Sequence, residues 1–225
     1  MRGRIEQVLS WATVSEYRTG DNPARWRGHL DKILAKPSKV QDTRHHSALP
    51  YADMAAFMSE LKQQDNTAAR CLEFTILTAA RTNEAIGATW DEIDLKAKLW
   101  TIPKERMKAN RDHLVPLSGA CLELLKAMQA VKQNDYVFAG GRGGSLSNMA
   151  MLKLLQRMGR KDLTVHGFRS TFRDWAAEKT HHENFVLEMC LAHTIKNLAE
   201  AAYRRGDLLE KRLNVMNEWA DYCGA

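Results

Sequence analysis

Six residues in this sequence have types and spacing suited to chemistry on a phosphate. Arg81 stands in Thr78-Ala79-Ala80-Arg81-Thr82-Asn83-Glu84, Lys108 in Arg106-Met107-Lys108-Ala109-Asn110, and His166 with Arg169 in His166-Gly167-Phe168-Arg169. His193 follows in Leu191-Ala192-His193, and Tyr203 in Ala201-Ala202-Tyr203-Arg204-Arg205. Guanidinium groups stay charged and match phosphate oxygens through paired donors. The three-residue spacing puts His166 and Arg169 on one face of a helix start. Taken singly, each residue has a plain structural reading: Arg81 as an ion-pair partner of Glu84, Lys108 as a solvated turn cation, Tyr203 as a half-buried helix aromatic. As an ordered set of six between positions 81 and 203, they are hard to obtain by chance.

Other chemistries lack their residues. Gly140-Gly141-Arg142-Gly143-Gly144 has neither the Gly-Lys-Ser/Thr ending of a nucleotide-binding loop nor a GxGxxG order, and reads as a plain loop. His45-His46 and His181-His182 are adjacent pairs whose side chains diverge, and no HExxH or Gly-x-Ser-x-Gly is present. Cys71, Cys121, Cys190 and Cys223 are widely spaced with no CxxC, as in a protein whose thiols stay reduced and mostly buried. No metal site and no cofactor are expected.

The elements that must position the six are mainly helical. Ile5, Val8, Leu9 and Ala12 recur at helical spacing, and a second short helix is expected from Trp26 to Leu34. Residues 36 to 50 are polar, charged and without periodicity, which marks a seam. Beyond it, Tyr51 to Leu61 is amphipathic, and Thr67 to Ala80 is apolar all round and so should be central. Leu99-Trp100-Thr101-Ile102 and His113-Leu114-Val115 read as strands joined by a charged turn, Lys104 to Asp112, and Tyr136-Val137-Phe138 as a further strand. Ser118 and Ser147 are expected to cap the helices carrying Leu125 and Leu154, and Asp207 with Glu210 to form a capping box for a last helix, Leu208 to Tyr222. The expected fold class is mainly α with a small antiparallel β-sheet, α+β.

Composition agrees with a globular protein. The chain has 225 residues, 44% hydrophobic and 27% charged, enough for one or two domains with a real core. Lys plus Arg number 33 against 27 Asp plus Glu, a net charge of +6 that suits a polyanionic partner. The start, Met1-Arg2-Gly3-Arg4-Ile5-Glu6, lacks the apolar stretch of a signal peptide, and no run approaches 18 apolar residues. A cytoplasmic protein without a membrane span is therefore expected.

The six residues, with Asn22-Pro23-Ala24-Arg25-Trp26-Arg27-Gly28-His29-Leu30, Leu77 to Glu84 and His113-Leu114-Val115-Pro116-Leu117-Ser118, resemble the catalytic domain of tyrosine recombinases, in the phage and genomic-island integrase branch. The resemblance implies the recombinase catalytic fold over 48–225, a remnant of a helical core-binding domain over 1–36 and a linker at 37–47. On that pattern the chain is amino-terminally truncated. It further implies a site-specific DNA recombinase in which Tyr203 attacks a scissile phosphate and keeps it as a 3′-phosphotyrosyl ester. By the same likeness His166 is general base, Lys108 general acid, Arg81 and Arg169 the clamp on the phosphate, and His193 a further donor. Glu84 would orient Arg81 from behind. Six protein groups then supply the charge and proton transfer, with no metal or nucleotide required.

The implied partners are double-stranded attachment core sites, bound as a tetramer at the bacterial nucleoid, with accessory DNA-bending proteins. Arg106, Arg111, Arg142, Arg173 and Lys179 are taken as phosphate contacts outside the active site. Two alternatives are a type IB topoisomerase, which shares the chemistry, and a DNA-binding remnant that no longer cuts.

Overall fold

The structure, a computed structural model, describes residues 1–35, 47–107, 109–141, 143–193 and 206–224. The chain divides into two compact units, Met1–His45 and His46–Ala225.

In the first unit, helix α1 spans Arg2–Val14 and buries none of its residues. It is held to the loop after it by polar contacts. Asn22 Nδ2 donates to Glu6 O and to Ser10 Oγ, both at 2.8 Å, and the Arg2 guanidinium donates to Ala24 O at 2.8 Å. The helix expected from Trp26 to Leu34 is not formed. Turns run to Gly28, whose φ of 73° breaks helical geometry, and only a short 3₁₀ turn, Leu30–Lys32, follows. Ala24 is the one buried residue among those described in this unit, and the described residues form no core of their own.

The second unit is built around a central helix. Helix α2 is Met54–Lys62 and α3 is Thr67–Thr78. The Asn66 side chain accepts from Ala69 N at 3.0 Å, which satisfies one of the amides a helix start leaves unpaired. Ten of the twelve residues of α3 are buried, and it packs on α2 and on α4 (Thr82–Ile86), α5 (Gly119–Ala130), α6 (Ala150–Arg157), α7 (Gly167–Lys179) and α9 (Leu209–Tyr222). Helix α8, Asn184–Cys190, joins α7 to the later part of the chain. No helix among the described residues is long and apolar enough to cross a membrane.

A three-stranded antiparallel sheet lies between α4 and α5 in sequence. Strand β2 (Leu99–Ile102) pairs with β3 (His113–Pro116), with Ile102 opposite His113, and with a two-residue strand β1 (Ile93–Asp94) that the sequence pattern did not reveal. Alternation buries Trp100 and Ile102, and the Trp100 ring packs at a tilt against Phe74 of α3, with centroids 5.0 Å apart. Thus the hairpin is seated on the central helix. Tyr136–Phe138 is not a strand; Tyr136 makes only an isolated bridge with Thr89.

Two caps differ from expectation. Ser118 does accept from Cys121 N at 3.3 Å, but Ser147 bonds Met149 N in a turn before α6, whose N-cap is Met149. The start of α9 has Leu208 as N-cap at φ 48°, with no side-chain cap and hence no Asp207–Glu210 box. Helix α9 packs within its own unit: Val215, Met216 and Trp219 are buried, and Trp219 Nε1 donates to Ile76 O at 2.9 Å.

Candidate active site

The end of α3 prepares Arg81. Thr78 Oγ1 turns back to Phe74 O at 2.7 Å, and Ala79 enters the left-handed region at φ 49°, reversing the chain so that Arg81 becomes the N-cap of α4. Glu84, three residues on and 4% exposed, does two things with one carboxylate. It accepts from Arg81 N at 2.8 Å and from the Arg81 guanidinium at 2.8 Å. A helix start and a cation are thereby fixed by the same side chain.

Helix α7 supplies the next two groups. Thr164 Oγ1 accepts from Gly167 N at 3.0 Å, which places His166 as N-cap, exposed, with Arg169 one turn inside and buried. Gly167 is required by close approach. A Cβ there would stand 2.3 Å from Ser47 O and 3.1 Å from the Ala48 Cα, both backbone atoms. The chain entering this unit crosses at that point, and Thr171 Oγ1 ties it down through Leu49 O at 2.6 Å.

Arg81 and Arg169 converge on one stretch of backbone. Arg169 donates to Ala79 O and, at 2.6 Å, to Leu191 O; Arg81 Nη2 reaches Leu191 O at 3.5 Å and Ala192 O at 3.4 Å. Ala192, like Ala79, is left-handed, at φ 49°. His193 follows it with Nε2 3.5 Å from Arg169 Nη2 and Nδ1 2.7 Å from Glu188 Oε2, so the carboxylate accepts the Nδ1–H hydrogen bond and sets the ring's orientation. Burial would raise the Glu188 carboxyl, but hydrogen bonds from His193 and Arg173 outweigh it and hold the group below its ordinary value. Burial, and then the Arg81 charge, lower Arg169 to about 10. Arg81 is paired with Glu84, whereas Arg169 is buried with backbone carbonyls and His193 as its partners.

Three residues that sequence reasoning did not select complete the cluster. His113, at the start of β3, is lowered to about 3 by burial and by the charges of Arg212, Arg81, Arg169 and Arg111, and is therefore neutral at pH 7. Its only signal in the sequence was its place in His113-Leu114-Val115-Pro116. Arg212 of α9 is 2% exposed and donates to Leu114 O at 2.5 Å, joining the last helix to β3. Glu188 had no signal, because its role depends on α8 bringing it to His193.

Of the six residues, the structure brings together Arg81, Arg169 and His193, with His166 one turn before Arg169. Lys108 and Tyr203 lie outside the described residues, as does Arg142. The other expected DNA contacts are placed variously. Arg111 is exposed. Arg173 bonds Glu188 Oε1 at 3.0 Å, and Lys179 stands 5.8 Å from the Tyr51 ring centroid. Arg106 departs from expectation: it turns inward, donating to Glu84 O at 3.0 Å and pairing with Glu92, because those buried acceptors need a donor more than a solvated phosphate contact would.

The Phage integrase family model matches residues 48–208. Prophage integrase IntA of Escherichia coli strain K12 is 38% identical over 231 residues, which cover 99% of this chain and 53% of the relative. Prophage integrase IntZ of the same strain is 34% identical, over 98% of this chain and 54% of the relative. The chain thus spans about half the length of these relatives. Among solved structures, a lambda integrase dimer bound to a COC′ core site superposes with a TM-score of 0.62 at 18% identity, over 92% of this chain and 72% of that one. The integrase from mycobacterium phage Brujita gives 0.60 at 16%, over 97% and 70%. At such identities these two share the fold.

Proposed function

Since the chain belongs to the phage integrase family, we propose that it carries the catalytic centre of a site-specific DNA recombinase that cuts and rejoins strands through a 3′-phosphotyrosyl intermediate. The observation that supports this best is the convergence of Arg81 and Arg169 on Leu191 O, with Glu84 and the His193–Glu188 pair behind them. Two guanidinium groups brought to one stretch of backbone suit a phosphodiester whose non-bridging oxygens gain charge as it reacts.

In the cleavage step the Tyr203 oxygen forms a bond to phosphorus and the bond to the 5′ oxygen breaks. His166 receives the tyrosine proton and Lys108 delivers a proton to the departing 5′ oxygen. The phosphate is held as an ester, so no bond energy is lost to water, and a 5′-hydroxyl from a partner strand reverses the step to complete exchange. Arg81, Arg169 and His193 hold the phosphate throughout. As in the lambda integrase tetramer on a Holliday junction, four copies would work together on two duplex core sites.

Incubation with a nicked suicide duplex bearing a core site, comparing wild type with Tyr203→Phe on a denaturing gel, tests this reading. A covalent protein–DNA band in wild type alone is expected. A band of equal strength in both would remove Tyr203 as nucleophile, and no band from wild type on duplex it demonstrably binds would favour the non-cutting alternative. Relaxation of supercoils without joined products would favour the topoisomerase.

A further inference from the structure

The charged turn between β2 and β3 is fastened to the Arg81 turn by one side chain. Arg106 closes a 3₁₀ turn, Lys104–Arg106, in which Arg106 N donates to Pro103 O and the following Met107 N to Lys104 O, each at 3.0 Å. From there its guanidinium crosses to α4, donating to Glu84 O at 3.0 Å, and pairs with Glu92. Glu92 is itself fixed by Trp100 Nε1 at 3.0 Å. Glu84 is therefore held by its carbonyl to Arg106 while its carboxylate holds Arg81.

Space is made for this crossing. A Cβ on Gly87 would lie 2.5 Å from Arg106 Nη1. Arg106 Nε is buried without a partner, a cost that a surface cation would avoid by staying in water.

We infer that Arg106 is a positioning residue, which locks the β2–β3 turn, and with it Lys108, to the turn that carries Arg81. The inference rests on the assignment of Lys108 as the general acid. Lys108 follows Arg106 by two residues in the sequence, a reach of at most about 7 Å in any conformation. A phosphate contact would be lost as DNA affinity. A bolt acting through the acid is lost as protonation of the leaving group.

Single-turnover cleavage by the full chain, on paired suicide duplexes with oxygen or sulfur at the 5′ bridging position, separates these roles. A thiolate leaves without a proton, since a thiol's pKa is near 8.5. Arg106→Met should slow cleavage of the oxygen duplex about 10- to 100-fold, bind DNA as wild type does, and recover on the sulfur duplex. Lys108→Ala should recover likewise, while Arg81→Lys should stay slow on both. Gly87→Ala, which crowds the guanidinium with Arg106 still present, should share the recovery and covers the case that Arg106→Met fails to fold. If Arg106→Met and Gly87→Ala are equally slow on both duplexes while Lys108→Ala recovers, Arg106 does not act through the acid. Failure of Lys108→Ala to recover would instead remove the acid assignment, and the inference with it. Loss of DNA affinity in Arg106→Met would return Arg106 to the phosphate contacts. Without DNA, Arg106→Met should speed amide exchange at Arg106, Met107 and Gly87 and leave the β2–β3 ladder unchanged; unaltered exchange would overturn the bolt whatever the cleavage shows.

Discussion

Replacing Arg169 by methionine sets two effects of known sign against each other. The guanidinium is 5% exposed and its acceptors are two backbone carbonyls and an imidazole. A base held at about 10 instead of 12.5 weighs against the fold wherever it is charged both folded and unfolded. At pH 7 that penalty is full and amounts to about 3 kcal/mol. Methionine removes it and keeps an apolar stem in place. It also leaves Ala79 O and Leu191 O without this donor, at about 1–3 kcal/mol each, although Leu191 O keeps the longer bond from Arg81. The net change is expected to be a loss of about 1 kcal/mol and no more than about 3. Cleavage, by contrast, should fall at least about 1000-fold on the proposed function, in which the lost group would stabilise charge that develops only in the transition state. Urea unfolding followed through the buried Trp100, Trp175 and Trp219 measures the first quantity, and single-turnover cleavage the second. Inorganic phosphate at matched ionic strength should stabilise the wild type and not the variant. A stability loss beyond about 4 kcal/mol, or equal stabilisation of both proteins by phosphate, would show that Arg169 is a structural tie and refute the reasoning.

Other expectations follow from single contacts. Glu84→Gln keeps the shape and the backbone contact but removes the charge opposite Arg81, and cleavage should slow about 10- to 100-fold with DNA affinity unchanged; a rate within twofold of wild type would show that Arg81 needs no carboxylate. Gly167→Ala places a Cβ 2.3 Å from Ser47 O, and since backbone yields little, about 1–3 kcal/mol should be lost in urea unfolding. Stability unchanged in that variant would mean the entering segment does not sit on α7. His113 is lowered from 6.5 to about 3, so below pH 6.5 the unfolded chain takes up a proton that the folded one refuses. Its contribution to stability therefore declines as pH falls from 6.5 towards 3, by at most about 1.4 kcal/mol per pH unit. His113→Asn should flatten that limb of the stability curve, and an unchanged slope would mean His113 is charged in the fold.

The parts of the site that could be read from sequence are those set by neighbours along the chain. Glu84 three residues after Arg81, Arg169 three after His166, and Ser118 before Cys121 all act within one helical turn, and in the structure they do. What could not be read depends on approach from far away. Glu188 reaches His193 only because α8 ends in a left-handed Ala192, and Arg212 reaches Leu114 across 98 residues. Arg106 reads in the sequence as a phosphate contact because nothing local shows Glu84 O and Glu92 waiting for it. Local capping signals also failed where packing fixed the helix start otherwise, as at Ser147 and Asp207.

The left-handed alanines at 79 and 192 carry a consequence for how this centre tolerates mutation. The acceptors that steady Arg81 and Arg169 include the main-chain oxygens of Ala79, Leu191 and Ala192. A peptide carbonyl survives every substitution of its own side chain, so no single codon change at these positions deletes an acceptor. What selection must preserve there is a chain reversal, which alanine adopts at a cost of roughly 1–2 kcal/mol and which glycine or asparagine would also enter. Positions 79 and 192 are thus free to drift in side-chain chemistry so long as the bend persists.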